Sequence, residues 1–125
     1  MNDRIERQSG FSLIEVLVGL VFLAIGLLAI AGLQVTSVRG NYFSNNLMQA
    51  TYVAQDRLEF LKNLPFSSSQ LQSNQYNEGT TTVSGVVFNR SYEVVTGGNL
   101  KTIRYTVTWN DGVHHNVTFS TVRSQ

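Results

Sequence analysis

The chain has 125 residues, of which 42% are hydrophobic and 14% charged, and its formal net charge is +1. This length suits one domain of ordinary size, and the near-neutral charge gives no electrostatic footprint for tight nucleic-acid binding. Because cysteine is absent, a disulfide framework, a thiol nucleophile and a thiolate metal site are excluded. The uneven placement of the apolar residues indicates a membrane-inserted or self-assembling protein rather than a free enzyme.

The first ten residues, MNDRIERQSG, form a polar segment that ends at Gly10, directly before a long apolar run. This pattern is typical of a leader in front of a hydrophobic export segment. An ordinary secretory signal would place a small-x-small cleavage site after its apolar core, and the triplet Ala29-Ile30-Ala31 fits such a site. The polar segment by itself leaves both kinds of processing open.

The junction between the two segments reads GFSLIEVLV from Gly10 onward, with a carboxylate at Glu15. It resembles the junction of type IV prepilins and pseudopilins. In that family a prepilin peptidase cuts after the glycine on the cytoplasmic side and methylates the new amine. The resemblance implies that Gly10 ends the leader, that Phe11 is the methylated first mature residue, and that Glu15 acts in assembly. The segment GLLAIAGLQ at 26–34 further resembles PilV-type minor pilins, the type IV pilus modification proteins.

The position of Glu15 can also be interpreted from physical chemistry. A carboxylate within an apolar membrane segment is costly, about 2.5 to 3.5 kcal/mol for a charged residue at a helix centre and less near an interface. Cleavage after Gly10 would create an amine at Phe11 that could neutralise this charge within one chain or between neighbours. Pairing between subunits would also fix the axial register of adjacent helices. The alternative is that Glu15 lies at the headgroup interface without a specific partner.

One long helix is predicted from residue 11 to residue 64. Positions 16–33 contain eighteen consecutive residues without a polar side chain, which is enough to span a bilayer, so residues 11–40 are predicted to be a transmembrane and assembly helix. Residues 41–64 are instead amphipathic, and Pro65 supplies a stop. Their apolar residues recur at spacings of three and four and predict a stripe that packs on a globular head: Leu47, Ala50, Ala54, Leu58 and Leu61.

The globular head is predicted over residues 41–125, with a polar loop over 65–82 and an antiparallel sheet over 83–122. The Ser, Asn, Gln and Thr content of the loop favours a solvated connector, with a short strand near 80–83 as an option. Three runs with strand patterns follow, at 86–95, 101–109 and 113–122. The last hairpin, YTVTWND followed by HHNVTFSTV, is also similar to the C-terminal end of PilV-type proteins.

The turns and faces of these strands are predicted from their residue types. Gly97-Gly98-Asn99 and Asn110-Asp111-Gly112 are turn signals between strands. In the second run the alternation with threonine and arginine predicts one buried face, formed by Ile103, Tyr105, Val107 and Trp109. In the third run Val113, Val117 and Phe119 are predicted to share a face. The helix stripe is the expected cover of this sheet.

Catalytic and metal-binding patterns are not found in the sequence. Neighbouring residues of a strand point to opposite faces, so His114 and His115 are not expected to bind one metal ion together. Tyrosines and one tryptophan could stack on single-stranded DNA, with Arg90, Lys101 and Arg104 as basic candidates, but these strand positions are more simply a solvent face. We therefore expect no enzymatic activity and no cofactor, and find no firm sign of nucleic-acid binding.

The sequence together with its resemblance predicts an α+β, pilin-like fold, in which a long N-terminal helix packs on a three- to four-stranded antiparallel sheet. The expected function is that of a minor pilin in type IV pilus assembly, priming or modification. The expected partners are prepilin peptidase, other major and minor pilins, the inner-membrane assembly platform and, before assembly, membrane lipid. The expected location is the inner membrane with a periplasmic head, and later the pilus. A type II secretion pseudopilin and a single-span anchored binding module are the alternatives.

Overall fold

The computed structural model describes residues 10–125 and contains one long helix followed by a meander of four antiparallel strands. The sheet order is β1-β2-β3-β4, so each strand pairs with the next one along the chain. The elements are α1 (Leu13–Asn63), a 3-10 helix (Ser69–Leu71), β1 (Asn74–Val83), β2 (Val86–Gly97), β3 (Leu100–Asn110) and β4 (His114–Ser124). This arrangement confirms the predicted α+β fold class.

The chain divides into two compact units. The first ends at Asn41, and its helical part, residues 13–41, is called the N-terminal segment below. The second, Tyr42–Gln125, is called the head. Helix α1 contributes to both units. The leader predicted over residues 1–10 lies outside the described residues except for Gly10.

The bounds of α1 follow from local chemistry at its C-terminus. The helix ends at Asn63, two residues before Pro65, because a proline lacks the N–H that a continuing helix would need and disfavours helical geometry in the residue before it. The helix predicted over 11–64 is therefore confirmed to within two residues at each end. It is also continuous across Gly32, where glycine rather than proline stands in the sequence.

The head has one hydrophobic core, formed between α1 and one face of the sheet. Ala50, Ala54 and Leu61 of α1 are fully buried, while Leu47 and Leu58 pack at the border of the core, so the predicted stripe is confirmed. On the sheet side, the buried face of β3 contains the predicted residues Ile103, Tyr105, Val107 and Trp109, with Phe88 and Val94 of β2 beside them. Small alanines on the helix let its backbone approach these large sheet side chains.

Tight turns connect the strands, as the sequence signals predicted for the last two. Ser84 and Gly85, at φ 50° and 82°, join β1 to β2 in the left-handed geometry that two-residue hairpins require. In the last turn the Asn110 side chain accepts a hydrogen bond of 2.9 Å from the Gly112 N–H. Val113 lies in this turn and is exposed, so its predicted place on the face of Val117 and Phe119 is wrong.

The loop predicted over residues 65–82 is wrong in its second half, and the sheet begins earlier than residue 83. Strand β1 starts at Asn74 and pairs with β2 along its whole length. The strand is hard to recognise because few of its residues are apolar, and backbone pairing rather than burial supports it. Tyr76 adds a stacked contact with Tyr92, with ring centroids 4.6 Å apart. The sheet also extends beyond residue 122, to Ser124.

Candidate functional site

The start of α1 is stabilised by the side chain of Ser12. The Glu15 N–H donates to Ser12 Oγ at 3.3 Å and to the Ser12 carbonyl at 3.1 Å, while the Val16 N–H donates to the same carbonyl at 3.2 Å. Ser12 is therefore the N-cap, and Glu15 stands three residues later, in the S-x-x-E spacing of a capping box. A carboxylate in the first turn also interacts favourably with the helix dipole.

Gly10 and Phe11 precede the helix and are exposed, with Phe11 84% accessible. A Cβ atom added to Gly10 would meet nothing within 4 Å. The described fold therefore does not itself require glycine at this position. A need for glycine here would have to come from outside the described fold.

The N-terminal segment exposes apolar side chains on every side of the helix. Each large apolar residue from Leu13 to Val38 is exposed, for example Leu20 at 55% and Ile30 at 54%. A helix that is apolar all round is stable only when lipid or other helices surround it. By length and composition this is the one helix in residues 10–125 that could span a membrane.

A partly buried polar network lies at the border of the head's core. The Glu78 carboxylate of β1 accepts hydrogen bonds from the Arg57 guanidinium of α1, with Nε at 3.2 Å, and from the Tyr105 hydroxyl of β3 at 2.5 Å. Arg90 of β2 donates to the Glu78 carbonyl at 3.2 Å. The network thus connects the helix to three strands.

Burial and the charges of this network shift the pKa values of its members and of the nearby Tyr92. Burial would raise the pKa of Glu78, but the hydrogen bonds donated by Arg57 and Tyr105 outweigh it, so the pKa lies below its ordinary value. Burial, followed by the hydrogen bond to Glu78, raises the pKa of Tyr105. Burial and the Glu78 charge raise the pKa of Tyr92 to about 12. The two tyrosines are therefore neutral and Glu78 is ionised at neutral pH, a state that favours a structural role.

A second cluster surrounds the turn between β3 and β4. The Asp111 carboxylate lies 2.9 Å from His115 Nε2 and accepts a hydrogen bond of 3.4 Å from Asn46 Nδ2. The His115 ring contacts Phe43 and Trp109, with centroids 4.9 and 5.2 Å away. These contacts hold the turn against the helix.

The structure separates the residues considered for metal and DNA binding. His114 and His115 point to opposite faces, as predicted, with His115 directed inward. Within residues 10–125 no group of three or more metal-binding side chains is found. The basic candidates are occupied within the head. Arg90 donates to Glu78, Lys101 is buried and donates to the Phe66 carbonyl at 2.6 Å, and Arg104 pairs with Glu93 at 2.9 Å.

Two residues with structural roles, Ser12 and Glu78, were not predicted from the sequence. The capping role of Ser12 could have been found, because Ser12-Leu13-Ile14-Glu15 carries the capping-box spacing. Glu78 could not, because it lies in a polar stretch assigned to a loop and its partners Arg57 and Tyr105 are 21 and 27 residues away.

Comparison with known proteins supports the interpretation of the N-terminus. Residues 6–31 match the family model of the prokaryotic N-terminal methylation motif. No curated protein and no solved structure matches the chain. The matched region includes Gly10, Phe11 and Glu15 and the first half of the exposed apolar helix. The chain therefore carries the N-terminal methylation motif of prokaryotic type IV pilin-like proteins, and the motif overlaps an apolar helix that is long enough to span a membrane.

Proposed function

We propose that this protein is a minor pilin that prepilin peptidase cuts after Gly10 and methylates at Phe11, and that it takes part in type IV pilus assembly, priming or modification. The observation that carries the proposal is the methylation motif at residues 6–31, which overlaps the N-terminal segment, where every large apolar side chain from Leu13 to Val38 is exposed. The α+β head is consistent with a pilin-like subunit. The role is structural rather than catalytic.

The proposed mechanism begins with the charge created by cleavage. The new amine of Phe11 and the Glu15 carboxylate are four residues apart, and both lie at the start of the apolar run. In lipid, an unpaired Glu15 would cost about 2.5 to 3.5 kcal/mol at the centre of a helix and less near an interface. Pairing it with the amine of a neighbouring subunit removes this cost and sets the helix register.

The proposed partners follow from the same pathway. Before assembly the N-terminal segment lies in the inner membrane and the head is periplasmic, and the assembly platform then transfers the protein to other major and minor pilins. Similarity to PilV-type pilins in 26–34 and in the last hairpin favours a minor pilin. A pseudopilin of a type II secretion system would have the same precursor chemistry. Neighbouring genes for a retraction motor or for a secretin with exoprotein substrates distinguish the two.

The processing step is tested by the intact mass and N-terminal sequence of the protein recovered from its host membrane, with and without active prepilin peptidase. We expect a chain that begins at methylated Phe11 only when the peptidase is active. A chain that begins after Ala31, or that retains Met1 in both strains, would overturn the proposal and leave a secreted or plainly anchored domain.

The assembly step is tested by Glu15→Ala. We expect at least about a tenfold loss of incorporation into filaments, because the amine of a neighbour is left without its carboxylate. Membrane localisation should be retained. Asp56→Ala, at an exposed position of α1 in the head, is the matched control and should assemble normally. Unchanged incorporation of Glu15→Ala would favour the anchored binding module.

A further inference from the structure

Strand β4 forms one edge of the sheet, and the hydrogen bonds to β3 show which of its residues direct their backbone groups to that edge. The Asp111 N–H donates to the Val113 carbonyl at 3.3 Å, and the Gln125 N–H donates to the Asn99 carbonyl at 3.0 Å. Between these two bonds the register of β3 and β4 does not change. Because hydrogen-bonding direction alternates along an antiparallel pair, the odd-numbered residues of β4 face β3. The even-numbered residues direct their N–H and C=O groups to the open edge.

The two edges of the sheet differ in protection. Edge strand β1 contains a bulge between Asn77 and Gly79 and directs the charged Glu78 inward, both of which discourage pairing with another strand. Edge strand β4 has eleven residues without proline, glycine or a register shift. Its one formally charged side chain is Arg123, which donates to the Leu64 carbonyl. Within the described chain, β4 is therefore the edge that is open to an additional strand.

The side chains next to this edge are only partly covered. Val117 and Phe119 point toward the core but remain half-buried. Beside them a groove of about 330 Å³ lies between α1 and β4. It is lined by Gln55, Leu58, Glu59, Lys62, Asn63 and Thr121. A strand added to β4 would place alternate side chains against Val117, Phe119 and the rim of this groove.

Charge favours one kind of strand. Strand β4 has no acidic residue. Near the C-terminal end of α1 lie two positive side chains, Arg123 and Lys62, and one carboxylate, that of Glu59. A carboxylate on an incoming strand would therefore meet a net positive surface at this end.

We propose that the open edge of β4 binds an extended segment of another protein chain that has apolar side chains at alternate positions and a carboxylate next to Arg123. Backbone hydrogen bonds to the even-numbered residues provide the affinity, and the groove and Arg123 select the sequence and direction. The inference depends on the head alone, so it holds or fails independently of processing at Gly10.

Amide hydrogen exchange of the detergent-solubilised full chain tests the proposal. The probe is a short peptide of alternating threonine and valine with an aspartate at one end. We expect the peptide to slow exchange at Asn116, Thr118 and Ser120 by about tenfold or more, while Val117 and Phe119 are already protected. No slowing at saturating peptide, or equal slowing along β1, would overturn the proposal. Protection of the even-numbered amides without peptide would show a second copy at the edge and would also overturn it.

Ser120→Pro and Ser120→Ala form a matched pair of variants. Proline is tolerated on an edge strand where the N–H faces outward, so the head should fold while losing one donor to the peptide. We expect roughly tenfold weaker peptide binding for Ser120→Pro and no change for Ser120→Ala. Should Ser120→Pro fail to fold by circular dichroism, the wild-type chain still provides a test, since a peptide with lysine in place of aspartate should bind more weakly. Equal binding of the two peptides would refute the role assigned to Arg123.

Discussion

The two halves of α1 differ in the exposure of their apolar side chains. In the N-terminal segment, bulky residues such as Leu20, Phe22 and Ile30 project into the surroundings, and none of them is buried by the described chain. In the head, the residues of α1 that are completely buried include the small Ala50 and Ala54. A small residue allows a sheet of the same chain to approach closely, whereas a bulky exposed residue requires lipid or another subunit. The exposure of side chains along one helix thus separates the part that the head covers from the part that needs lipid or another subunit.

The comparison implies that core substitutions should affect the head and that similar changes in the N-terminal segment should not. Trp109→Ala tests this most strongly, because Trp109 is almost fully buried and contacts Phe43 and Phe88. We expect the free energy of unfolding of the head to fall by about 3 to 5 kcal/mol, measured by denaturant titration with circular dichroism. Leu20→Ala, in the exposed segment, should change it by less than about 0.5 kcal/mol. Equal effects would contradict the division into two units.

A change in the opposite direction, from small to large, sharpens the same comparison. Ala54→Leu inserts a larger side chain where α1 meets the sheet, and we expect a loss of about 1 to 3 kcal/mol in the unfolding free energy of the head. The same substitution at Ala29, which is exposed, should leave head unfolding unchanged. Thermal unfolding of the two variants in one detergent distinguishes them. A stable Ala54→Leu head would mean that the helix is not closely packed there.

The role of the ion pair between Arg57 and Glu78 is tested by the pH dependence of stability. Because the folded-state pKa of Glu78 lies below its unfolded value of about 4.3, its contribution to stability is complete above that value and is lost as pH falls through the folded pKa. We expect Glu78→Gln to cost about 1 to 3 kcal/mol at pH 7 and to reduce the slope of melting temperature against pH below about 5.

The control for this experiment is Glu93→Gln, which removes the exposed pair with Arg104. It should cost at most about 1 kcal/mol and retain the wild-type slope. Desolvation would raise the pKa of Asp111, but the hydrogen bond with His115 outweighs it, so this pKa also lies below its ordinary value. Asp111 is present in both variants. The difference between their slopes therefore reports Glu78. Equal slopes of melting temperature against pH for the two variants would show that protonation of Glu78 does not cause the loss of stability at low pH.

Local patterns predicted most of the fold. The end of α1 before Pro65, the stripe containing Ala50 and Ala54, and the alternation that buries Ile103 and Trp109 were all predicted, because each depends on residues close in sequence. Strand β1 was not predicted over its first six residues, since its support comes from pairing with β2 and from Tyr92. The processing junction was predicted as a local motif. The roles of Gly10, Phe11 and Glu15 stay predictions until the mature N-terminus and the assembly of Glu15→Ala are measured.

The sequence by itself determined the methylation motif, the apolar segment and the periodicity of the helix and later strands, because these are properties of neighbouring residues. Only the tertiary structure decided that Glu78 is hydrogen-bonded to Arg57 and Tyr105, and that Lys101 is directed to the Phe66 carbonyl rather than to solvent. It also decided that β1 and β4 are the two edges of the sheet and that the bulge lies in β1. Each of these depends on which distant segments pair, and no local pattern specifies that choice.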